Sequence, residues 1–180
     1  MIKHCNACGT LVVHRIPDGD SRMRAVCPSC GHIQYENPKI VAGCIPVYGD
    51  RILMCKRAIE PRYGLWTLPA GFMELNETAA EGAAREALEE ANAKVEVEGL
   101  YTVFSLPHIS QVYMMFRARL LDPDVSPGIE SLEVKLVTQD EIPWDSLAFA
   151  MVKRTLDFFL EDRRRGEFIT RFGDIRAPLR

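Results

Sequence analysis

The sequence predicts an α/β fold, a mixed β-sheet with helices on its faces, preceded by a small cysteine-bound module. Three observations predict it. Two CxxC pairs lie near the amino terminus, several apolar runs separated by turn signals fill the middle, and two later stretches carry helical patterns. The 180 residues, 47% hydrophobic and 26% charged, suit one compact domain plus an accessory module. A net charge of −3 gives nucleic acid no broad electrostatic attraction, so nucleic acid is not the expected partner. No apolar run approaches the roughly 18–20 residues that span a bilayer, and Met1 to Cys5 lack the apolar core of a signal peptide. A cytoplasmic protein that avoids membranes is expected.

The elements follow in order. Thr10 to Arg15 and Met23 to Val26 read as short strands of the cysteine-rich segment, which ends near Tyr35-Glu36-Asn37-Pro38. Ile40 to Tyr48 and Arg51 to Arg57 are apolar runs joined by Gly49-Asp50, a hairpin signal. A loop with Pro61, Gly64 and Pro69 leads to Gly71, and the Ala- and Glu-rich stretch from Thr78 to Ala91 reads as helix. Val95 to Phe104, Val112 to Leu120 and Leu132 to Thr138 are further strands, separated by turns at Pro107 and at Pro123 to Gly128. Phe149, Val152, Leu156, Phe159 and Leu160 recur at helical spacing and form a stripe that packs on the sheet. The expected division is therefore 1–36, 37–162 and a basic tail, 163–180.

Cys5-Asn6-Ala7-Cys8-Gly9 and Cys27-Pro28-Ser29-Cys30-Gly31 are two copies of one knuckle, eighteen residues apart between Cys8 and Cys27. Two thiolates three positions apart grip one metal from a tight turn, and the following Gly permits the positive φ that such a turn needs. Four thiolates, Cys5, Cys8, Cys27 and Cys30, complete the closed set of a structural Zn²⁺. A module of 36 residues is too short to be stable without such a staple. Reduced, unliganded thiols are the alternative. The module carries Lys3, Arg15, Arg22 and Arg24 against Asp18, Asp20 and Glu36. That near balance favours a structural or dimerisation role over nucleic-acid binding.

From Gly71 to Glu90 there are six glutamates against one cation, Arg85. At about 100° per residue, Glu86, Glu89 and Glu90 share one helix face. Their mutual repulsion is relieved by a hard divalent cation with oxygen ligands. On composition alone a solvated helix face accounts for the same residues, and the spacing decides between the two. Gly71, Glu77, Arg85, Glu86, Glu89 and Glu90 fall at the fixed positions of GX5EX7REUXEEXGU, where U is a bulky aliphatic residue. The stretch thus resembles the Nudix hydrolase signature. Ala87 and Ala93 depart from it where larger aliphatics are usual, and Asn92 replaces its Gly; Asn tolerates the left-handed cap.

The resemblance implies a Nudix α/β/α sandwich and a hydrolase that cleaves a diphosphate with Mg²⁺ or Mn²⁺. It implies Glu86, Glu89 and Glu90, with the Ala70 carbonyl, as ligands of the catalytic ion, and Glu77 and Arg85 as a structural ion pair. A four-cysteine ribbon joined to such a core is similar to small zinc-ribbon Nudix proteins that act on FAD or ADP-ribose. The SQPWPFPxS motif of NADH pyrophosphatases is missing: this chain reads Val103-Phe104-Ser105-Leu106-Pro107-His108-Ile109-Ser110-Gln111 there. A nucleoside diphosphate derivative is the expected partner, with a homodimer as the assembly. NADH or NAD-capped RNA hydrolysis and a non-catalytic ADP-ribose sensor are the alternatives.

A downstream acid is expected to act as base, Glu130 ahead of Glu133, with surface charge as the other explanation. Arg57, Arg62, Tyr63 and Trp66 are the candidate substrate contacts, because Arg forks fit phosphate and aromatic faces stack on flat rings. For Tyr63 and Trp66, ordinary packing is the competing explanation. His108 reads as a surface or internally satisfied residue, and the six arginines after Asp162 as a solvated segment.

Overall fold

The computed structural model describes residues 2–176, and the chain divides into two compact units, Met1–Asn37 and Pro38–Arg180. In the first, β1 (Val13–Arg15), β2 (Arg24–Val26) and β3 (Ile33–Gln34) form an antiparallel sheet in that order. Each CxxC pair sits in a turn closed by a backbone hydrogen bond. The Gly9 N–H donates to the Cys5 carbonyl at 2.8 Å and the Gly31 N–H to the Cys27 carbonyl at 3.0 Å. Both glycines take positive φ, 74° and 72°, as the knuckle pattern requires.

The second unit is an α/β/α sandwich. Its strands are β4 (Lys39–Tyr48), β5 (Arg51–Arg57), β6 (Trp66–Thr67), β7 (Ala70–Phe72), β8 (Val95–Leu106), β9 (Gln111–Leu120), β10 (Ser131–Val137) and β11 (Arg171–Asp174). The main path runs β10-β5-β4-β9-β8-β11, with β6 paired to β5 and β7 to β4. The β4–β9 and β8–β11 pairs are parallel and the others antiparallel, so the sheet is mixed.

Alternation along β4 and β5 sends neighbouring side chains to opposite faces. Ile45, Ile52 and Met54 join Met151, Val152, Leu156 and Phe159 of α2 (Ala150–Arg165) in one core. Cys44, Leu53 and Cys55 join Ala83, Ala87 and Ala91 of α1 (Ala79–Ala91) in the other. Ala87 and Ala93, the small residues in the signature, are fully buried there. They let α1 lie close on the sheet. Among the described residues no helix is long and apolar enough to cross a membrane.

The C-terminal residues differ from the expected basic tail. Arg163 to Arg165 finish α2, which Gly166 caps at φ 71°, and Arg171–Asp174 add an edge strand to the sheet. Backbone pairing and a buried ion pair outweigh the polar composition from which a solvated tail was expected. Residues 177–180 of that tail lie outside the described residues.

Candidate active site

Helix α1 begins where Thr78 accepts a hydrogen bond from the Glu81 N–H (3.2 Å) while the Glu81 carboxylate accepts one from the Thr78 N–H (2.7 Å). This reciprocal cap fixes the first turn. Asn92 ends the helix at φ 50°, so Asn fills the left-handed position where the signature has Gly. The Asn92 amide also donates to the Ser126 carbonyl (3.1 Å), and the Gly128 N–H to the Glu90 carbonyl (2.9 Å). These bonds lay the loop before β10 along the end of the helix. A Cβ at Gly128 would collide with the Glu89 carbonyl, so only Gly allows this approach.

Arg85 organises the carboxylates. Its Nε and Nη2 each donate to Glu77 at 2.9 Å, Nη1 donates to Glu86 (2.7 Å) and Glu89 (2.9 Å), and Nη2 reaches the Phe72 carbonyl (3.1 Å). The fork beside Glu77, helped by the Glu74 N–H, pulls that carboxyl down to about 2. Glu77 and Arg85 thus form the ion pair the signature implies, tying the loop after β7 to the helix. Glu86 and Glu90 are 8% and 5% exposed, a costly place for two like charges. Burial raises the Glu86 carboxyl, against the pull of Arg85. Glu90 is pushed up to about 8 by burial and the Glu86 charge, against Arg57 and a backbone hydrogen bond at Ala70. A Cβ at Gly71 would occupy the place of the Glu86 carboxylate.

These residues open on a cleft of about 1430 Å³. Ala70, Gly71, Glu86, Glu89, Glu90, Glu130, Arg57 and Arg62 all line it. Its other walls are mainly apolar, with Leu106, Ile109, Tyr113, Phe149, Val152 and Ile175. The Arg57 guanidinium stacks 5.2 Å from the Phe149 ring centre and its Nε donates to the Pro61 carbonyl at 2.9 Å. Glu133 lies apart, paired with Lys135 (2.7 Å) and Lys56 (3.7 Å), so the structure separates it from Glu130.

Two candidate contacts are not in the cleft. Trp66 is 8% exposed in the α2-side core, with the Lys135 and Lys56 ammonium groups 5.4 Å and 5.8 Å from its ring centre. Tyr63 is exposed but does not line the cleft. Neighbouring arginines and aromatics suggested a ring-binding wall; β6 instead turns Trp66 inward. The aromatic residues that do line the cleft, Phe72, Tyr113 and Phe149, come from strand and helix-entry positions, and His108 and Ile175 line it as well.

The donor set fits a hard cation, since three carboxylates and the Ala70 carbonyl all offer oxygen donors. Glu89, on the exposed side, is presently drawn to Arg85. In the first unit the four thiol sulfurs lie within 4.8 Å of one another, with Cys5–Cys30 at 3.7 Å and Cys8–Cys27 at 3.5 Å. Zn–S bonds of about 2.3 Å in a tetrahedron put sulfurs about 3.8 Å apart, so the four fit one zinc ion.

The NUDIX domain model matches residues 37–158, and the zinc-ribbon "Nudix N-terminal" model matches residues 3–36. The chain belongs to the Nudix family. This Nudix hydrolase is 55% identical to a NUDIX hydrolase of known structure from Nitrosomonas europaea, with a TM-score of 0.95 over 98% of this chain and 100% of that one. It is 28% identical over 130 residues to the ADP-ribose pyrophosphatase of Methanocaldococcus jannaschii, covering 69% of this chain and 75% of that protein. It is also 30% identical over 133 residues to the NAD-capped RNA hydrolase NudC of Photobacterium profundum, covering 71% of this chain. In that last case it spans 46% of the relative's length.

Proposed function

We propose that this Nudix hydrolase cleaves the diphosphate of an adenosine-containing compound of the ADP-ribose or FAD class into two monophosphates. One observation carries the reading: buried Glu86 and Glu90, with Glu89 beside them, face a cleft that also presents Arg57 and Arg62 and a broad apolar wall. The first part suits a diphosphate with its cations, the second a nucleoside. A bound Mg²⁺ or Mn²⁺ would neutralise diphosphate charge and acidify the attacking water. Glu86, Glu89, Glu90 and the Ala70 carbonyl would hold that ion. Glu130, brought to the cleft by the loop docked on α1, takes the proton of the attacking water. Arg57 and Arg62 bind phosphate oxygens and orient the diphosphate for attack at one phosphorus, with the bridging P–O bond breaking.

The ribbon, residues 1–36, acts as a zinc-stapled structural or pairing module beside a catalytic domain of residues 37–162, and the assembly is a homodimer. A cytoplasmic location accords with six cysteines in no disulfide among the described residues. A second reading, hydrolysis of NAD-capped RNA, is favoured by the likeness to NudC. The ribbon's near-neutral charge weighs against it.

A product assay with Mg²⁺ or Mn²⁺ on ADP-ribose, FAD, NADH and NAD-capped RNA at equal concentration tests this. Metal-dependent release of AMP, fastest from ADP-ribose or FAD, is expected. Preference for capped RNA selects the second reading, and binding of ADP-ribose with turnover of none makes the protein a sensor.

A further inference from the structure

The NUDIX domain match ends at residue 158, yet the chain returns to the cleft beyond it. Asp162 of α2, 1% exposed, accepts hydrogen bonds from the Arg171 guanidinium and from the Tyr101 hydroxyl (2.8 Å). This anchors β11 parallel to β8, with Arg171 opposite Thr102 and Asp174 opposite Ser105. One residue on, the Ile175 N–H donates to the Ser105 carbonyl at 2.9 Å. The Ile175 carbonyl lies 3.1 Å from His108 Nδ1, in the single helical turn Pro107–Ile109 between β8 and β9. Both His108 and Ile175 line the cleft.

A carbonyl only accepts hydrogen bonds, so Nδ1 carries the proton and Nε2 of the neutral ring is an acceptor. The position is fixed as well. From β7, which holds Ala70 on the edge of β4 opposite β9, to β8 is three strand spacings, about 14 Å. A diphosphate and its extended nucleoside together reach about that far. Leu106 and Ile109, close to His108 in sequence, and Ile175, its hydrogen-bond partner, line the same cleft and offer apolar walls for a flat ring.

We propose that His108, oriented by the Ile175 carbonyl, is a specificity-determining residue whose Nε2 accepts a hydrogen bond from the 6-amino group of the substrate adenine. This rests on the reading of the cleft as a site for adenosine diphosphate compounds. The segment after α2 thereby belongs to substrate recognition: β11 positions His108, and Asp162 and Arg171 position β11.

The test is steady-state kinetics of wild type, His108→Ala and His108→Gln on ADP-ribose and on its analogue with hydrogen in place of the 6-amino group. For wild type, the analogue raises KM about 3- to 10-fold, the worth of one neutral hydrogen bond, while kcat moves less than twofold. His108→Ala raises KM for ADP-ribose by the same factor and is indifferent to the analogue, so the two losses do not add. His108→Gln, which restores an acceptor, recovers part of the discrimination. An unchanged KM in His108→Ala, or an analogue penalty that persists in it, overturns the proposal while leaving the hydrolase reading intact. Failure of wild type to hydrolyse ADP-ribose at all overturns the reading beneath it, and the proposal with it.

Discussion

At the scale of single residues, the site is held by close contacts that spacing alone does not reveal. Gly71 belongs to the signature, and its reason is steric: the Glu86 carboxylate occupies the room a side chain would need. Glu86 can move only at the expense of its bond to Arg85 and its place in the cleft. Gly71→Ala is therefore expected to fold normally while weakening Mn²⁺ binding and turnover by about 10- to 100-fold, the usual effect of disturbing a ligand's support. Isothermal titration with Mn²⁺ beside an activity assay checks this, and wild-type affinity in the variant would show that Glu86 does not act as a ligand. The signature glutamates and the four cysteines were legible because their chemistry is written in short, fixed spacings. For Trp66 the sequence leaves packing and ring binding both open, because the same Arg-and-aromatic neighbourhood serves a core and a binding wall equally well. The inward turn of β6 decided which.

Among the elements, long alternating or apolar runs are readable, and the short strands β6, β7 and β11 are not. The helix α1, the β4–β5 hairpin and the strands β8 to β10 announce themselves by period and turn signals. Short β6 and β7 have too few residues for alternation to show, yet β7 supplies Ala70 and Gly71 to the site. β11 was hidden by its charges, because its Arg171 reads as solvated until Asp162, nine residues earlier on α2, is seen buried beneath it. The guanidinium holds the Asp162 carboxyl down at about 2, against its burial and with help from the Tyr101 hydroxyl. Unfolded, the same carboxyl titrates near 3.9, so its stabilisation is complete above about pH 4 and is lost as pH falls through 2. Asp162→Asn is expected to cost about 3 kcal/mol at pH 7 by leaving the arginine without its partner. Urea unfolding should show the gap to wild type narrowing between pH 4 and 2. A gap that stays constant with pH would mean that the ion pair does not hold the strand.

For the whole molecule, the two units carry separate chemistries that the sequence states at its two ends of legibility. The ribbon's four sulfurs meet as their paired spacing predicts. The cleft is assembled from strands β4 to β9, α1, the turn after β8, the loop before β10, the start of α2 and the residue after β11. No local pattern joins those segments, which is why the sequence offers Glu130 only beside Glu133 and reads His108 as a surface or internally satisfied residue. On the proposed function, Glu86, Glu89 and Glu90 form the divalent-ion site at which the diphosphate is cleaved. The most direct measurement is Mn²⁺ binding, followed by the loss of the free-ion paramagnetic resonance signal, alongside ADP-ribose turnover in wild type and Glu90→Gln. Wild type is predicted to bind the ion and hydrolyse the substrate, and the variant, still folded, to lose on the order of 10²–10³-fold in rate together with the ion affinity. Turnover that survives in Glu90→Gln, or in wild type stripped of divalent ions, would contradict it.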